Sequence, residues 1–300
     1  MIETDELVTE VERENFIRDG FFCVQRVSPP SEVAMIRGEL MRLLANRTGL
    51  NEGALTDLVS PDGEPSVAPQ MMNPSTFAPA LRKTEHRANC LAIARSILGP
   101  SAKLAFEQMI YKPAGKGAGT PWHQDDAFTQ DSDVEVSQVS IWMPLQDVAE
   151  ENGCMRYVAG SHLGPLFDHR SPNDDPRVHA LEAVVDPDSL TPTYVPLPAG
   201  GCVIHHSRTL HGSAPNFSAN ERMAYILAFD GPPRRRETPA DYYWHRGRKA
   251  ERFTKYREWL SRGGIFVLIW RKIRDGRFND PRRVAYKLRK MMQRNRPAKD

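Results

Sequence analysis

A histidine and a carboxylate stand two residues apart in the segment TPWHQDDAFTQDSDV, residues 120–134. If this segment is extended, its side chains alternate between two faces, so His123 and Asp125 share one face. Asp126 then points to the other face. An imidazole beside a carboxylate supplies two of the three protein ligands of a facial metal site, which binds iron(II) and leaves positions open for an organic acid and dioxygen. The sequence therefore predicts a third ligand elsewhere.

Three later histidines compete to be that third ligand. They lie in VIHHSRTLHGSAPNFSANER, residues 203–222. His211 stands just past an expected strand end and is predicted to be the ligand. His205 and His206 precede it within the strand, so they are predicted to be structural residues or neighbours of the ligands. No thiolate belongs to this group of residues, which argues against a structural zinc site.

Composition excludes several other classes of protein. Lys and Arg number 40 and Asp and Glu 38, so the net charge of +2 indicates no particular partner. The acidic N-terminus lacks the apolar run of a signal peptide, and the most apolar stretch, IFVLIW at 265–270, is too short to span a bilayer. The cysteines are scattered without C-x-x-C spacing, which favours a reducing cytoplasm over a disulfide framework: Cys23, Cys90, Cys154 and Cys202.

The first hundred residues are predicted to be mainly helical. Apolar spacing indicates a helix that stops at Gly20, then a short strand in GFFCVQRV. A second helix is expected over residues 31–46, with Ser31 as its N-cap. Residues 51–79 are rich in Pro, Gly, Asn and Ser and are expected to be a loop. A third helix is predicted over 78–99.

After Pro100 the pattern changes to short strands separated by turns. The best candidates are rich in β-branched and aromatic residues: LAFEQMIYK, VSQVSIWMPL, TYVPL, GGCVIHH and RMAYILAF. Such a series predicts a mainly β fold with flanking helices, in the form of a sandwich or a double-sheet jelly roll. A jelly roll brings early and late strands together, so the distance along the chain between His123 and His211 is no obstacle.

These motifs resemble the phytanoyl-CoA dioxygenase family. The resemblance spans about residues 19–229 and rests on HQD at 123–125, on NGCMRYVAGSH at 152–162, and on LPAGGCVIHHSRTLHGSAPN followed by Arg222. It implies an oxygenase that depends on Fe(II), 2-oxoglutarate and O2. It also implies a double-stranded β-helix, a jelly-roll, cupin-like form.

The resemblance assigns roles to individual residues. It implies that His123, Asp125 and His211 bind the metal. It implies that Arg222 pairs with the distal carboxylate of 2-oxoglutarate, for which the fixed fork of a guanidinium is well suited. Three more residues match family positions near the cosubstrate: Gln108, Trp142 and Thr120. Trp142 could equally be a core aromatic.

Asp125 also bears on the type of reaction. Family relatives that halogenate replace this carboxylate with a small residue, so its presence favours hydroxylation of an unactivated C–H bond. Desaturation and ring closure stay open. The substrate is expected to be a small molecule or a lipid-like compound, with the polar insertion at 163–195 as a lid. The alternative is a non-catalytic, metal-binding protein that docks on membrane surfaces and retains the jelly-roll fold.

Residues 1–235 are predicted to form one oxygenase domain, with a helical part at 1–100 and a jelly-roll core at 101–230. Residues 236–300 are predicted to be a basic helical extension. Residues 262–300 hold 13 Lys and Arg against 3 Asp and Glu. Three contacts stay open for 265–296: an anionic membrane, which would make the cytoplasmic protein peripheral, the catalytic core, or a second subunit of a homodimer. Nucleic acid is not expected, because no recognition module accompanies the charge.

Overall fold

The computed structural model describes residues 8–46, 50, 54–61, 64–115, 117–129, 133–246 and 248. Most of the predicted basic extension, including the segment 265–296, lies outside the described residues. Its predicted contacts with a membrane or a second subunit therefore stay predictions. Within the described ranges, no helix combines the length and the apolar character that a membrane crossing requires.

The first helix, α1 (Glu10–Asp19), begins and ends where local chemistry dictates. The Thr9 hydroxyl accepts a hydrogen bond from the Glu12 backbone N–H at 3.3 Å, and the Glu12 carboxylate accepts one from the Thr9 N–H at 2.6 Å. This reciprocal pair is a capping box. Gly20 ends the helix with a φ of 84°, a left-handed conformation that glycine adopts without strain. The predicted stop at Gly20 is confirmed.

The second helix, α2 (Pro30–Ala45), shows that the predicted N-cap is wrong. Pro30 occupies the first turn, where its missing N–H costs nothing, and the cap position is Pro29 rather than Ser31. Glu32 lies in the first turn. Its carboxylate accepts hydrogen bonds of 2.7 Å from the first two backbone N–H groups of α3 (Glu85–Leu98), so α2 caps the start of its neighbour.

The predicted third helix is wrong at its start. Residues 79–83 form a separate 3-10 turn, and α3 begins after Thr84, whose hydroxyl accepts a hydrogen bond from the Arg87 backbone N–H at 3.2 Å. A side chain that caps the helix at this point interrupts the helical pattern read from the sequence. The helix ends before Gly99, as predicted.

The remaining described structure is mainly β. Its strands are β1 (Phe21–Val24), β2 (Leu55–Asp57), β3 (Pro69–Met72), β4 (Lys103–Lys112), β5 (Thr120–His123), β6 (Val134–Pro144), β7 (Met155–Tyr157), β8 (His169–Arg170), β9 (Glu182–Ala183), β10 (Thr193–Val195), β11 (Cys202–His206), β12 (His211–Ser213) and β13 (Arg222–Arg235). The six predicted strands correspond to β1, β4, β6, β10, β11 and β13. The predicted loop at 51–79 is wrong in part, because β2 and β3 lie within it.

Two antiparallel sheets build the core. The large sheet has the order β1-β11-β6-β13-β4-β3-β2, and the small sheet has the order β10-β7-β12-β5. Neighbours that are distant in sequence are the mark of a jelly roll, so the predicted double-stranded β-helix is confirmed. β8 and β9 pair separately inside the 163–195 insertion.

Side chains alternate along the strands of the large sheet, so its two faces pack against different parts of the molecule. One face carries residues such as Met109, Ile141 and Tyr225, which pack against the helices in the larger hydrophobic cluster. The opposite face carries Trp142 and Ile226, which pack against residues of the small sheet. Polar side chains on this inner face therefore lie between the sheets, where a ligand site is sheltered from water.

Candidate metal and cosubstrate site

The structure brings the three predicted metal ligands together. The ligand atoms of His123, Asp125 and His211 all lie within 4.8 Å of one another. The two histidines face each other across the antiparallel pair β5–β12, with ring centroids 4.2 Å apart. Asp125 Oδ1 lies 3.6 Å from His123 Nε2 and 3.7 Å from His211 Nε2. Two imidazoles and one carboxylate without a thiolate are a donor set that fits Fe(II).

The reason for this proximity differs from the prediction. An extended segment would place His123 and Asp125 on one face of a strand. In the structure, β5 ends at His123 and Asp125 opens a 3-10 turn, Asp125–Phe128. The turn, rather than strand alternation, directs the carboxylate towards both imidazoles. Asp126 is not part of the group, as expected.

Hydrogen bonds fix the orientation of both histidines. His123 Nδ1 donates to the Pro121 carbonyl oxygen and His211 Nδ1 to the Thr209 carbonyl oxygen, each at 2.8 Å. Each Nε2 is then left without a proton and faces the other ligands. Burial, with the neighbouring His123, lowers the pKa of His211 well below its usual range. A neutral imidazole with an unprotonated Nε2 is the form that binds a metal.

Asp125 is held in its ionised form. Burial alone would raise the pKa of its carboxyl, but His211, His123 and His205 hold that pKa well below its usual range. Its second oxygen, Oδ2, accepts a hydrogen bond from Ser140 Oγ at 2.7 Å and lies 3.3 Å from His205 Nε2. The site therefore presents a charged carboxylate whose two oxygens have different surroundings.

The two competing histidines point in opposite directions because they are adjacent on β11. His205 faces inward, and its ring centroid lies 4.3 Å from that of His211. His206 faces outward, where its ring centroid lies 6.1 Å from Phe16 and 5.7 Å from His162. His205 is therefore the neighbour of the proposed ligands, and His206 belongs to the packing beneath α1.

A second group of buried polar side chains lies beside Ser213, two residues after His211 on β12. Arg222 is 1% exposed, and its Nη2 donates to the Gly153 carbonyl oxygen at 2.9 Å and to Ser213 Oγ at 3.3 Å. Its Nε and Nη1 are buried and make no hydrogen bond to any residue that the structure describes. Burial lowers the pKa of Arg222 to about 10, so it stays charged at neutral pH. These unused donors can receive a carboxylate.

Lys112 is a member of this group that the sequence analysis missed. It is fully buried, and its Nζ donates to Ser213 Oγ at 2.8 Å and to the Ala214 carbonyl oxygen at 2.7 Å. Lys112 and Arg222 are partners in the register of β4 and β13. Burial, followed by repulsion from Arg222 and Arg156, lowers the pKa of Lys112 well below its usual value. Two basic side chains side by side, with no carboxylate hydrogen-bonded to either in the described part of the chain, form a candidate anion site.

The three residues predicted to lie near the cosubstrate have different surroundings. Thr120 Oγ1 accepts a hydrogen bond from Ser213 Oγ at 3.0 Å. Trp142 is 3% exposed, and its ring centroid lies 5.3 Å from the Arg222 guanidinium carbon, so it is a core aromatic beside the anion site. Gln108 lies on the same face of β4 as Lys112, but its amide nitrogen donates to Gln70 at 2.5 Å.

The chain is similar to several known proteins. The family model described as Phytanoyl-CoA dioxygenase (PhyH) matches residues 16–224. The probable alpha-ketoglutarate-dependent hypophosphite dioxygenase of Stutzerimonas stutzeri is 27% identical over 228 residues, which cover 74% of this chain and 78% of that protein. The ectoine dioxygenase of Nocardia farcinica is 25% identical over 228 residues, which cover 72% of this chain and 75% of that protein.

The chain is also similar to a solved structure. EvdO2 from Micromonospora carbonacea var. aurantiaca, complexed with 2-oxoglutarate, superposes with a TM-score of 0.67 at 31% sequence identity. The match covers 79% of this chain and 96% of that one.

Proposed function

Because the chain belongs to the phytanoyl-CoA dioxygenase family and is a 2-oxoglutarate-dependent dioxygenase that uses iron and dioxygen, we propose that it hydroxylates an unactivated C–H bond of a small-molecule or lipid-like substrate. One observation carries the proposal. β12 has His211 at one end and Ser213, the shared partner of Lys112 and Arg222, at the other. Two residues of a strand span about 6.6 Å, a separation suited to a five-carbon dicarboxylate with one end near the triad.

The proposed reaction assigns a role to the three metal ligands and to the two basic residues of the site. His123, Asp125 and His211 hold Fe(II), and Arg222 with Lys112 holds the distal carboxylate of 2-oxoglutarate. When bound, iron and 2-oxoglutarate supply the oxidation, in which dioxygen is consumed, succinate and carbon dioxide are released and one oxygen atom enters the substrate. The protein orients the reactants and excludes water, which the position of the site between two packed sheets supports.

The carboxylate of Asp125 favours hydroxylation over chlorination. It occupies the position that a chloride would need, and it is held there by Ser140 and His205. A chlorinated product formed by the unmodified protein in chloride buffer would contradict this proposal. The alternative of a non-catalytic metal-binding protein is not supported, because the relatives with named activities are dioxygenases and hydroxylases.

We propose that the insertion at 163–195 is a lid over the substrate. Gln124, which lies between the proposed ligands His123 and Asp125, anchors it. The Gln124 carbonyl Oε1 accepts a hydrogen bond from the Phe167 backbone N–H at 2.8 Å, and the Gln124 backbone N–H donates to His169 Nε2 at 3.2 Å. Burial lowers the pKa of His169 to about 4, so it remains a neutral acceptor.

The activity is tested by succinate formation from 2-oxoglutarate with added iron. We expect slow turnover without substrate, and faster turnover when a pool of candidate metabolites contains the substrate. Mass spectrometry of the pool should then show one compound that gains one oxygen atom. His211→Ala and Asp125→Ala should abolish both signals, and His206→Asn, on the outer face of the sheet, should retain them. Normal turnover by His211→Ala would contradict the proposed ligand set.

A further inference from the structure

The two oxygens of the Asp125 carboxylate serve different partners. Oδ1 faces His123 Nε2 at 3.6 Å and His211 Nε2 at 3.7 Å. Oδ2 is turned away from them, towards Ser140 Oγ at 2.7 Å and His205 Nε2 at 3.3 Å. A carboxylate that binds a metal through both oxygens occupies two coordination positions. The partners of Oδ2 therefore determine how many positions stay open.

A buried tyrosine contacts the ring of His205 on the side away from Asp125. Tyr157 comes from β7 of the small sheet, is fully buried and stacks on Phe21 with ring centroids 4.5 Å apart. Its hydroxyl lies 3.0 Å from His205 Nδ1, on β11 of the large sheet. A phenol that donates to Nδ1 leaves the imidazole proton on Nε2, which is the nitrogen that faces Asp125 Oδ2. The pair thus connects the two sheets and ends in a donor aimed at the carboxylate.

We propose that Tyr157, His205 and Ser140 form a positioning chain that keeps Asp125 a one-oxygen ligand. Two donors engage Oδ2, so only Oδ1 is presented to the metal. The coordination positions needed by the bidentate cosubstrate and by dioxygen then stay free. This inference rests on the proposed role of Asp125 as a metal ligand, and it assigns to His205 a task in orientation rather than in coordination.

The geometry distinguishes this role from that of a fourth ligand. Both nitrogens of His205 are already engaged, Nδ1 by the Tyr157 hydroxyl and Nε2 by Asp125 Oδ2. By contrast, His123 and His211 donate from Nδ1 to backbone carbonyl oxygens, so their Nε2 atoms carry no proton and can bind a metal. The hydrogen bonds of His205 are therefore those of a residue that orients the proposed metal ligand Asp125, not those of a metal ligand itself.

The test measures metal binding and coordination without turnover. Mn(II) and Co(II) are titrated into the full-length protein, and the visible absorption of the Co(II) form reports the coordination. His205→Phe keeps the ring but removes both hydrogen bonds, and we expect it to weaken binding about 10-fold and to change the Co(II) spectrum. Tyr157→Phe removes only the hydroxyl and should produce a smaller change in the same direction.

Two further variants sharpen the test. His205→Gln places an amide N–H near the position of Nε2, so it should restore much of the affinity and the original Co(II) spectrum. His206→Asn is the matched control, because His206 Nδ1 accepts a hydrogen bond from the Arg208 backbone N–H at 3.0 Å and an asparagine oxygen can replace it. It should bind as the unmodified protein does. Thermal unfolding of the metal-free proteins confirms that each variant is folded.

Two results would overturn the inference. The first is an affinity and a Co(II) spectrum in folded His205→Phe that match those of the unmodified protein. The second is a loss of binding in His205→Gln as complete as in His211→Ala, which would make His205 a ligand. Asp125→Ala distinguishes a failure of the proposed metal site from a failure of the proposed positioning chain. If that variant binds metal normally, the proposed metal site itself is wrong.

Discussion

Lys112 and Arg222 stand opposite each other in paired strands, a position in which two like charges destabilise a sheet. Both are buried, and their hydrogen-bond partners are neutral oxygens. Such an arrangement costs free energy in the absence of an anion and recovers it when a carboxylate binds. The two residues therefore form the part of the site whose effect on cosubstrate binding is easiest to predict.

Arg222→Ala should weaken the binding of 2-oxoglutarate on the order of 100-fold, because a buried charge-assisted pair contributes a few kcal/mol. Arg222→Lys should restore little, because a lysine lacks the planar fork. Isothermal titration of 2-oxoglutarate into the Mn(II)-loaded protein measures both effects. Arg42→Ala, on the exposed side of α2, is the control. A binding curve for Arg222→Ala that matches the control would refute the role.

Lys112 predicts a pH dependence of cosubstrate binding. Burial and Arg222 lower its pKa well below the usual value in the free protein, whereas a bound carboxylate favours the charged ammonium and raises that pKa. Binding should therefore take up a proton at a pH between the two values, and affinity should fall as pH rises through the lowered pKa. Titrations in two buffers with different ionisation enthalpies measure the uptake. Lys112→Met should abolish it, and the same uptake in that variant would exclude Lys112 as its source.

The chemistry of single residues was predictable only where one residue type decides it. The roles proposed for His123, Asp125, His211 and Arg222 follow from their residue types and from their resemblance to a family motif, and the structure brings the first three together. Lys112 was missed because its role depends on strand register, which places it beside Arg222. The link from Tyr157 to His205 likewise requires the facing of two sheets, which no local pattern reveals.

At the scale of elements, strands rich in β-branched and aromatic residues were predicted, whereas β2 and β3, which side-chain hydrogen bonds hold, were not. β4 and β13 are long and rich in apolar residues, so their pattern was sufficient. β2 and β3 are short, and the turn between them depends on Asp57. Its carboxylate accepts five hydrogen bonds at 2.6–2.9 Å, four of them from backbone N–H groups. The polar composition of residues 51–79 therefore predicted a loop, although β2 and β3 lie within this segment.

Asp57→Ala should lower the free energy of unfolding by on the order of 3 kcal/mol, because it removes the acceptor of four backbone N–H groups at once. Urea denaturation followed by circular dichroism measures the change. Asp186→Ala is the control, because this exposed carboxylate accepts a hydrogen bond from the Asp188 backbone N–H at 3.1 Å within one short turn. Equal stability of the two variants would show that the turn does not depend on the Asp57 carboxylate.

For the whole molecule, the predicted domain boundary at 235 can be compared with the contacts that follow it. Trp244 Nε1 donates to the Ala127 carbonyl oxygen at 2.9 Å, in the turn that begins with Asp125. Arg248 Nη2 donates to the carbonyl oxygens of Val178 and His179, in the 163–195 insertion, at 3.2 and 2.5 Å. The beginning of the predicted extension thus contacts both the turn beside the proposed metal site and the proposed lid.

A chain that ends at residue 252 should therefore retain the thermal stability and the succinate formation of the full protein, because it keeps every described residue of the site. A chain that ends at residue 235 loses the hydrogen bonds of Trp244 and Arg248, so it should unfold at a lower temperature and bind Co(II) more weakly. Trp244→Phe in the longer chain is the matched variant, because it keeps an aromatic ring and removes the N–H donor. Co-sedimentation with anionic vesicles, for the full protein and the chain that ends at residue 252, tests the membrane contact predicted for 265–296. If the chain that ends at residue 235 is as stable and binds Co(II) as tightly as the longer one, the oxygenase domain ends where the sequence predicted.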